Sequence, residues 1–209
     1  MQTLSKKTTK PETAPVKKYT VEEYLALEEK AEYKNEYRNG EIIKMAGGTT
    51  NHNKIGVNIC RKFPLTIGTE NYELFISDVR LWIPEYNLYT YPDLMIVAGE
   101  PIYQGKGTST ITNPTLIIEV LSLSTQEYDR GGKFKYYRSL PQMQEYILID
   151  QYQYGIEQFA KNQEGKWVLT EYENEQDMLK LESIAWEIPL TDIYERVNFG
   201  IEEYDQEKS

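Results

Sequence analysis

The chain has 209 residues, 40% hydrophobic and 27% charged, with a single cysteine. That length suits one domain with a sizeable core, and the composition excludes collagen-like, coiled-coil and wholly disordered architectures. Lys+Arg 23 against Asp+Glu 33 leaves a formal net charge of −10, which excludes a uniformly basic polyanion binder, so any nucleic-acid contact must be local.

Residues 1–18 hold five lysines and one glutamate among Thr and Pro, too little apolar surface to offset ordering, and read as a flexible basic arm. No apolar stretch follows those lysines, so a secretory signal is not expected. The longest charge-free run, residues 107–118, has 12 residues, too short to span a bilayer. Cys60 cannot form an internal disulfide, and a reducing, cytoplasmic location is the expectation. A single folded domain is expected over 19–199, followed by an acidic tail over 200–209.

The fold should begin near Tyr19. Thr20 and Glu23 have capping-box spacing, predicting a short amphipathic helix to about Ala31. Tyr37 to Met45 around Asn39-Gly40 reads as a hairpin with a two-residue turn. Thr49, Thr50 or Asn51 can cap a second helix whose buried stripe is Ile55, Ile59 and Phe63. From Tyr72 the pattern becomes that of strands: YELFISDVRLWIP, then DLMIVAG, then PTLIIEVLS. The last two are almost continuously apolar, as strands buried on both faces are, which implies a central sheet covered by helices. Asp129 can cap a helix over RGGKFKYYRSL, and EYILID is another buried strand. Three short strands and a last helix near Leu190 to Arg196 complete the chain. The stretch from Gly99 to Asn113 is either a mobile flap or a variable loop.

Within this pattern some polar residues are out of place. Glu119 interrupts LIIEVL, where a carboxylate is costly unless paired or bound to a metal. Asp93 opens the preceding apolar strand after Pro92. Read singly, Asp93 fits a turn and Glu119 an ion pair with an arginine. Two acids on successive strands can also share a cleft and bind a hard divalent cation, which would activate water and neutralise a phosphoryl group. Next comes DRGGKFKYYR, a basic helix with two glycines that cost about 1 kcal/mol each relative to Ala. Those glycines suggest close approach of a backbone or a phosphate, or else a frayed start with Asp129 and Lys133 as a surface pair.

These segments resemble the Uma-two family of endonucleases, of cyanobacterial type, within the PD-(D/E)XK restriction-endonuclease-like superfamily. The resemblance covers about residues 19–199 and rests on YRNGEIIKMAGGTTNHN, SDVRLWIPEYNLYTYPDLMIVAGEP, NPTLIIEVLSLSTQEYDRGGKFKYYR and QEYILIDQ in order. It implies an α/β restriction-endonuclease-like core with a central mixed β-sheet flanked by helices, here with a C-terminal run of short strands. It also implies hydrolysis of DNA phosphodiester bonds with Mg²⁺, or Mn²⁺ as a substitute. By position Asp93 is the acid of the Pro-Asp motif and Glu119 that of the (D/E)XK motif. The superfamily lysine two residues after the glutamate is here Leu121, and Lys133 is the matching candidate on the following helix.

Four further residues are candidates for lining the site. Glu36 matches an acidic family position and is otherwise an exposed hairpin acid. His52 matches a family histidine and is otherwise a helix-terminal surface residue. Asp78 shares a strand face with Arg80, which could neutralise it. Ser122 offers a hydroxyl at the strand end, without a histidine–acid pair to make it a nucleophile. Tyr86, Tyr89, Tyr91, Tyr136 and Tyr137 either stack on bases or pack in the core. The rival readings are a non-catalytic nucleic-acid or protein-interaction module on the same fold, and a structural homodimer with a tyrosine-rich interface.

Overall fold

A reciprocal cap starts the first helix of the computed structural model, which describes residues 17–200. The arm expected over 1–18 and the tail over 200–209 lie outside the described residues, apart from Lys17, Lys18 and Gly200. In α1 (Val21–Glu28), Thr20 Oγ1 accepts from Glu23 N at 3.2 Å and Glu23 Oε2 accepts from Thr20 N at 2.8 Å. The helix stops short of Ala31: Glu29 and Lys30 after it are charged, and the Glu28 carboxylate accepts from Asn35 N and Nδ2. That draws the chain into the hairpin of β1 (Asn35–Arg38) and β2 (Glu41–Lys44). Asn39 (φ 48°) and Gly40 (φ 95°) both take the left-handed conformation a tight hairpin turn requires.

Thr49 caps α2 (Thr50–Lys62), which buries Ile55 and Ile59, with Phe63 closing its end. There follow β3 (Thr66–Ile67), β4 (Glu70–Ile76), β5 (Arg80–Ile83), β6 (Leu88–Thr90), β7 (Leu94–Ala98), β8 (Thr110–Ile111) and β9 (Leu116–Leu121). The single strand expected over 72–84 is thus two. The chain breaks at 77–79, and the halves enter different sheets. The segment 99–113 is tied down: Thr110 and Ile111 pair with Arg80 and Leu81, and Asn113 Oδ1 accepts from Ile102 N at 2.7 Å.

The crossover after β9 is α3 (Gln126–Tyr128), a π turn (Asp129–Lys133) and α4 (Phe134–Tyr137). Asp129 is therefore inside the helical segment and does not cap it. The chain continues through β10 (Glu145–Asp150), β11 (Ile156–Lys161), β12 (Trp167–Tyr172), β13 (Met178–Leu181), β14 (Trp186–Pro189) and α5 (Leu190–Ile193). The tail carries four strands where three were expected, because a 3-10 turn ending at left-handed Ala185 folds MLKLESIAWEI back on itself.

The main sheet has the order β12-β11-β10-β9-β7-β4-β3, mixed through the parallel β9–β10 pair. Its central strand, β9, serves two cores. Leu116, Ile118 and Val120 pack with Ile55 and Ile59 of α2 and Leu190 and Ile193 of α5. Ile117 and Leu121 pack with Leu81, Ile83 and Leu88 of the second sheet, ordered β2-β1-β6-β5-β8, and with Tyr137 of α4. This is the expected central mixed sheet, with helices α2 and α5 on one face; the other face, expected to carry helices, is covered mainly by the second sheet together with α4. Among the described residues no helix is long and apolar enough to cross a membrane.

Candidate active site

Asp93 and Glu119 meet because β7 and β9 are antiparallel neighbours with Leu94 opposite Ile118. At the entrance to β7, the Asp93 side chain continues the ladder. Its Oδ2 accepts from Val120 N at 2.8 Å, while its own N donates to Glu119 Oε2 at 3.3 Å. The backbone groups that lose strand partners there are thus satisfied by carboxylates. Glu119 is only 2% exposed, and its Oε1 accepts from Tyr137 Oη at 2.6 Å and Lys133 Nζ at 3.0 Å.

Lys133, 8% exposed, reaches Glu119 from the crossover helix and has a second anion, Asp129 Oδ1, at 2.9 Å. It is a buried cation between two buried carboxylates and not half of a surface pair. Asp129 is held in turn by Thr125 Oγ1 at 2.6 Å. Residues 129, 133 and 137 recur every four positions; Lys133 and Tyr137 reach Glu119 directly, and Asp129 meets it through Lys133. Of the two glycines in this segment, Gly132 has a steric reason. A Cβ there would lie 2.6 Å from Tyr128 Cδ2, whereas one at Gly131 would meet nothing within 4 Å. The close approach that the sequence suggested is made by an aromatic ring.

The charges in this cluster are strongly interdependent. Burial pushes the Glu119 carboxyl up to about 8; Lys133 opposes that rise, and the Asp93 and Asp129 charges add to it. Burial would lower Lys133, but Glu119, Asp129 and Glu36 hold it well above the ordinary lysine value. Asp93 is pushed up by burial, yet it lies below its ordinary value because His52 hydrogen-bonds to it, with further help from Lys133 and the Val120 amide. His52, with Nε2 3.0 Å from Asp93 Oδ2, is correspondingly raised: burial lowers it and Asp93 outweighs burial.

The remaining candidates separate cleanly. His52 belongs to the cluster through Asp93. Glu36 is 6% exposed and hydrogen-bonded by Thr90 Oγ1, so it is not an exposed hairpin acid, and its charge acts on Lys133 and Tyr137. Ser122 reaches the cluster's edge, with Oγ 2.9 Å from Thr125 Oγ1. Asp78 is corrected: it lies in the turn after β4, its side chain 79% exposed, and pairs with Lys34 at 2.6 Å instead of with Arg80. Leu121 is 3% exposed in the core, so the (D/E)XK lysine position is filled by a packing residue. Tyr89, Tyr91 and Tyr137 are buried; Tyr86 and Tyr136 are half-buried.

Sequence reasoning placed Tyr137 among the stacking or core tyrosines without its hydrogen bond to Glu119, and it missed Asp129 as a buried anion and Gln151. The four-residue recurrence of Asp129, Lys133 and Tyr137 could have revealed the Tyr137 bond and the buried Asp129. Gln151, fully buried, donates Nε2 to Leu121 O at 2.7 Å and accepts from Thr49 Oγ1. It thereby fastens the end of β9 to the start of α2, the elements carrying Glu119 and His52. No local pattern marks it.

Among the described residues no three His, Cys, Asp or Glu side chains gather closely enough to hold a metal by themselves. Two hard carboxylates are present, each with about four lone-pair sites. Asp93 spends Oδ2 on its amide and histidine partners, and Glu119 Oε2 takes one amide only. The mutual repulsion that helps raise Glu119 would be relieved by a cation. The donor set therefore fits Mg²⁺, which commonly uses one or two carboxylates and completes its shell with water and phosphate oxygens.

A crystal structure from Anabaena variabilis ATCC 29413, described as a "putative nuclease", superposes with a TM-score of 0.66 at 18% identity, covering 84% of this chain and 97% of that one. Residues 21–191 match the Uma2 family model, described as "Putative restriction endonuclease", and the chain belongs to that family. Two proteins of Synechocystis sp. (strain ATCC 27184 / PCC 6803 / Kazusa) are similar. Uncharacterized protein sll1609 is 47% identical over 158 residues, 76% of this chain and 89% of that protein. Uncharacterized protein slr1290 is 36% identical over 187 residues, 90% of this chain and 97% of that protein.

Proposed function

We propose that the protein is a divalent-metal-dependent endonuclease that hydrolyses phosphodiester bonds in DNA. The observation that carries this reading is the convergence of Asp93, Glu119 and Lys133, with Lys133 Nζ 3.0 Å from Glu119 Oε1 and Asp93 N 3.3 Å from Glu119 Oε2. Asp93 and Glu119 would hold the metal. When bound, Mg²⁺ or Mn²⁺ supplies a lowered water pKa and charge neutralisation at the phosphoryl group. Lys133 keeps its proton in this setting and presents a fixed positive charge to the attacking oxygen or the scissile phosphate. Tyr137 orients Glu119 through Oε1, and His52 keeps Asp93 ionised and oriented.

Supercoiled plasmid incubated with Mg²⁺ or Mn²⁺ should be nicked, and a chelator or Glu119→Gln should stop it. Absence of nicking by pure protein with either metal would overturn the reading. One observation favours a second reading, a non-catalytic nucleic-acid-binding module: the Lys133 ammonium already has Asp129 at 2.9 Å and Glu119 at 3.0 Å. That reading predicts DNA binding without nicking.

A further inference from the structure

Beside the carboxylate–lysine cluster lies a groove of about 290 Å³ lined by Lys18, Arg38, Asn39, Glu41, Tyr86 and Tyr136. The Tyr128 ring stands between it and the cluster, with its centroid 5.9 Å from Lys133 Nζ and 5.5 Å from Arg38 Cζ. Strand β1 also joins the two, since Glu36 and Arg38 share one face of it. Glu36 acts on Lys133 while Arg38 stands over Tyr128. Tyr86 and Tyr136 contact each other at 4.7 Å between centroids, tilted by 57°. Lys135, exposed, stands over the Tyr86 ring at 5.6 Å. In a chain of net charge −10, Lys18 and Arg38 line the groove against Glu41, and Lys135, from a third segment, stands over one of its rings.

We propose that this groove holds an unpaired stretch of the nucleic-acid strand that flanks the scissile phosphate, its phosphates on Lys18, Arg38 and Lys135 and a base on the Tyr86–Tyr136 pair. This rests on the nuclease reading and names the form of substrate the site takes. Cations beside half-exposed aromatic rings are the elements of single-strand recognition, because every base has a face to stack. In a duplex those faces are covered by neighbouring base pairs, and only edges and phosphates are on offer. The groove is at the small end of ligand pockets, suited to a base and its phosphates. A base that takes the Tyr86 face displaces the Lys135 ammonium toward its own phosphate.

Binding is read by fluorescence anisotropy in a chelator, so that cleavage plays no part, with labelled oligo(dT), oligo(U) and a hairpin duplex. The single strands should bind more tightly than the duplex, and the stronger of the two names DNA or RNA as the source. Lys18→Ala with Lys135→Ala should lower the slope of log affinity against log salt by about 1.4 for the single strand. Tyr136→Ala should weaken single-strand binding about tenfold and duplex binding far less, while Tyr136→Phe retains the wild-type affinity because the ring remains. Lys135 is exposed, so Lys135→Glu tests the groove without threatening the fold; it should weaken single-strand binding at least severalfold. Equal losses for duplex and single strand, or unchanged single-strand affinity in Lys135→Glu and Tyr136→Ala, would overturn the proposal. Metal-dependent nicking is a separate measurement: nicking intact with the groove variants silent removes the groove alone.

Discussion

Replacing Lys133 by methionine keeps most of the side-chain volume and removes one buried charge, and the structure sets the size of both consequences. Two carboxyl groups lie at 2.9 and 3.0 Å from Nζ. At an effective dielectric constant of about 20, such a contact is worth about 5 kcal/mol of attraction when the carboxyl is ionised, before desolvation is set against it. Removing one member of a buried ion pair costs about 3–5 kcal/mol, because the partners stay behind. Here Glu119 can hold its proton and ease part of that cost, so a loss near 3 kcal/mol is expected in chemical denaturation. The chemical step should slow by about a hundredfold or more, the usual weight of a preorganised charge in the transition state. The two effects are separable. In Asp129→Asn/Lys133→Met the uncompensated Asp129 charge is also gone, so much of the stability should return while nicking stays as slow as in Lys133→Met. Lys135→Met, at an exposed position, should leave stability within about 0.5 kcal/mol of wild type. Nicking restored to within about tenfold of wild type in the double variant would refute the reasoning and make Lys133 a structural strut.

Glu119→Gln should flatten the pH dependence of stability measured in a chelator. The folded-state pKa is raised from 4.5 to about 8, so this group's stabilising contribution is fully present below about 4.5 and is lost as pH rises through about 8. The melting temperature of wild type minus that of the variant should therefore fall across that window; parallel curves would exclude the assignment. His52 is the single histidine, so its imidazole titration can be followed by NMR without ambiguity. Its midpoint should lie above 6.5 in the wild type and drop in Asp93→Asn, which should also weaken Mg²⁺ binding with little effect on DNA affinity in a chelator. An unchanged midpoint would break the His52–Asp93 link. Gly132→Ala should cost about 1–3 kcal/mol by forcing the Tyr128 ring aside, while Gly131→Ala, with open space and an exposed position, should be neutral or stabilising by up to about 1 kcal/mol. Equal effects at the two glycines would contradict the packing seen around Tyr128.

What the sequence could reveal of this site follows from how far apart its interacting parts lie along the chain. Glu119 was legible because its neighbours in LIIEVL are all apolar, and a lone acid in a strand buried on both faces needs partners wherever they come from. The turn at Asn39-Gly40 and the Thr20–Glu23 cap were legible for the same reason: the interacting groups are within three residues of each other. The break at 77–79 was not, because YELFISDVRLWIP alternates as a strand should, and only the competition between two sheets decides that Ile76 pairs with Leu94 while Leu81 pairs with Thr90. Gln151 and the buried state of Glu36 depend on contacts 30 and 54 residues away along the chain, beyond any window of periodicity. Lys133 is the instructive middle case. Its i,i+4 partner Asp129 was visible and pointed to a solvated pair, yet the same spacing carried on to Tyr137 aims one helical face at Glu119. A lysine with an acid four residues before it and a tyrosine four residues after it, directly behind a buried strand acid, is thus better read as the wall of a cleft than as helix surface. The displacement of the lysine from the Leu121 position also has a physical basis. Residue 121 is at the end of β9 facing the second sheet, and a leucine there closes the core while the crossover helix brings the ammonium to the same carboxylate from outside the sheet.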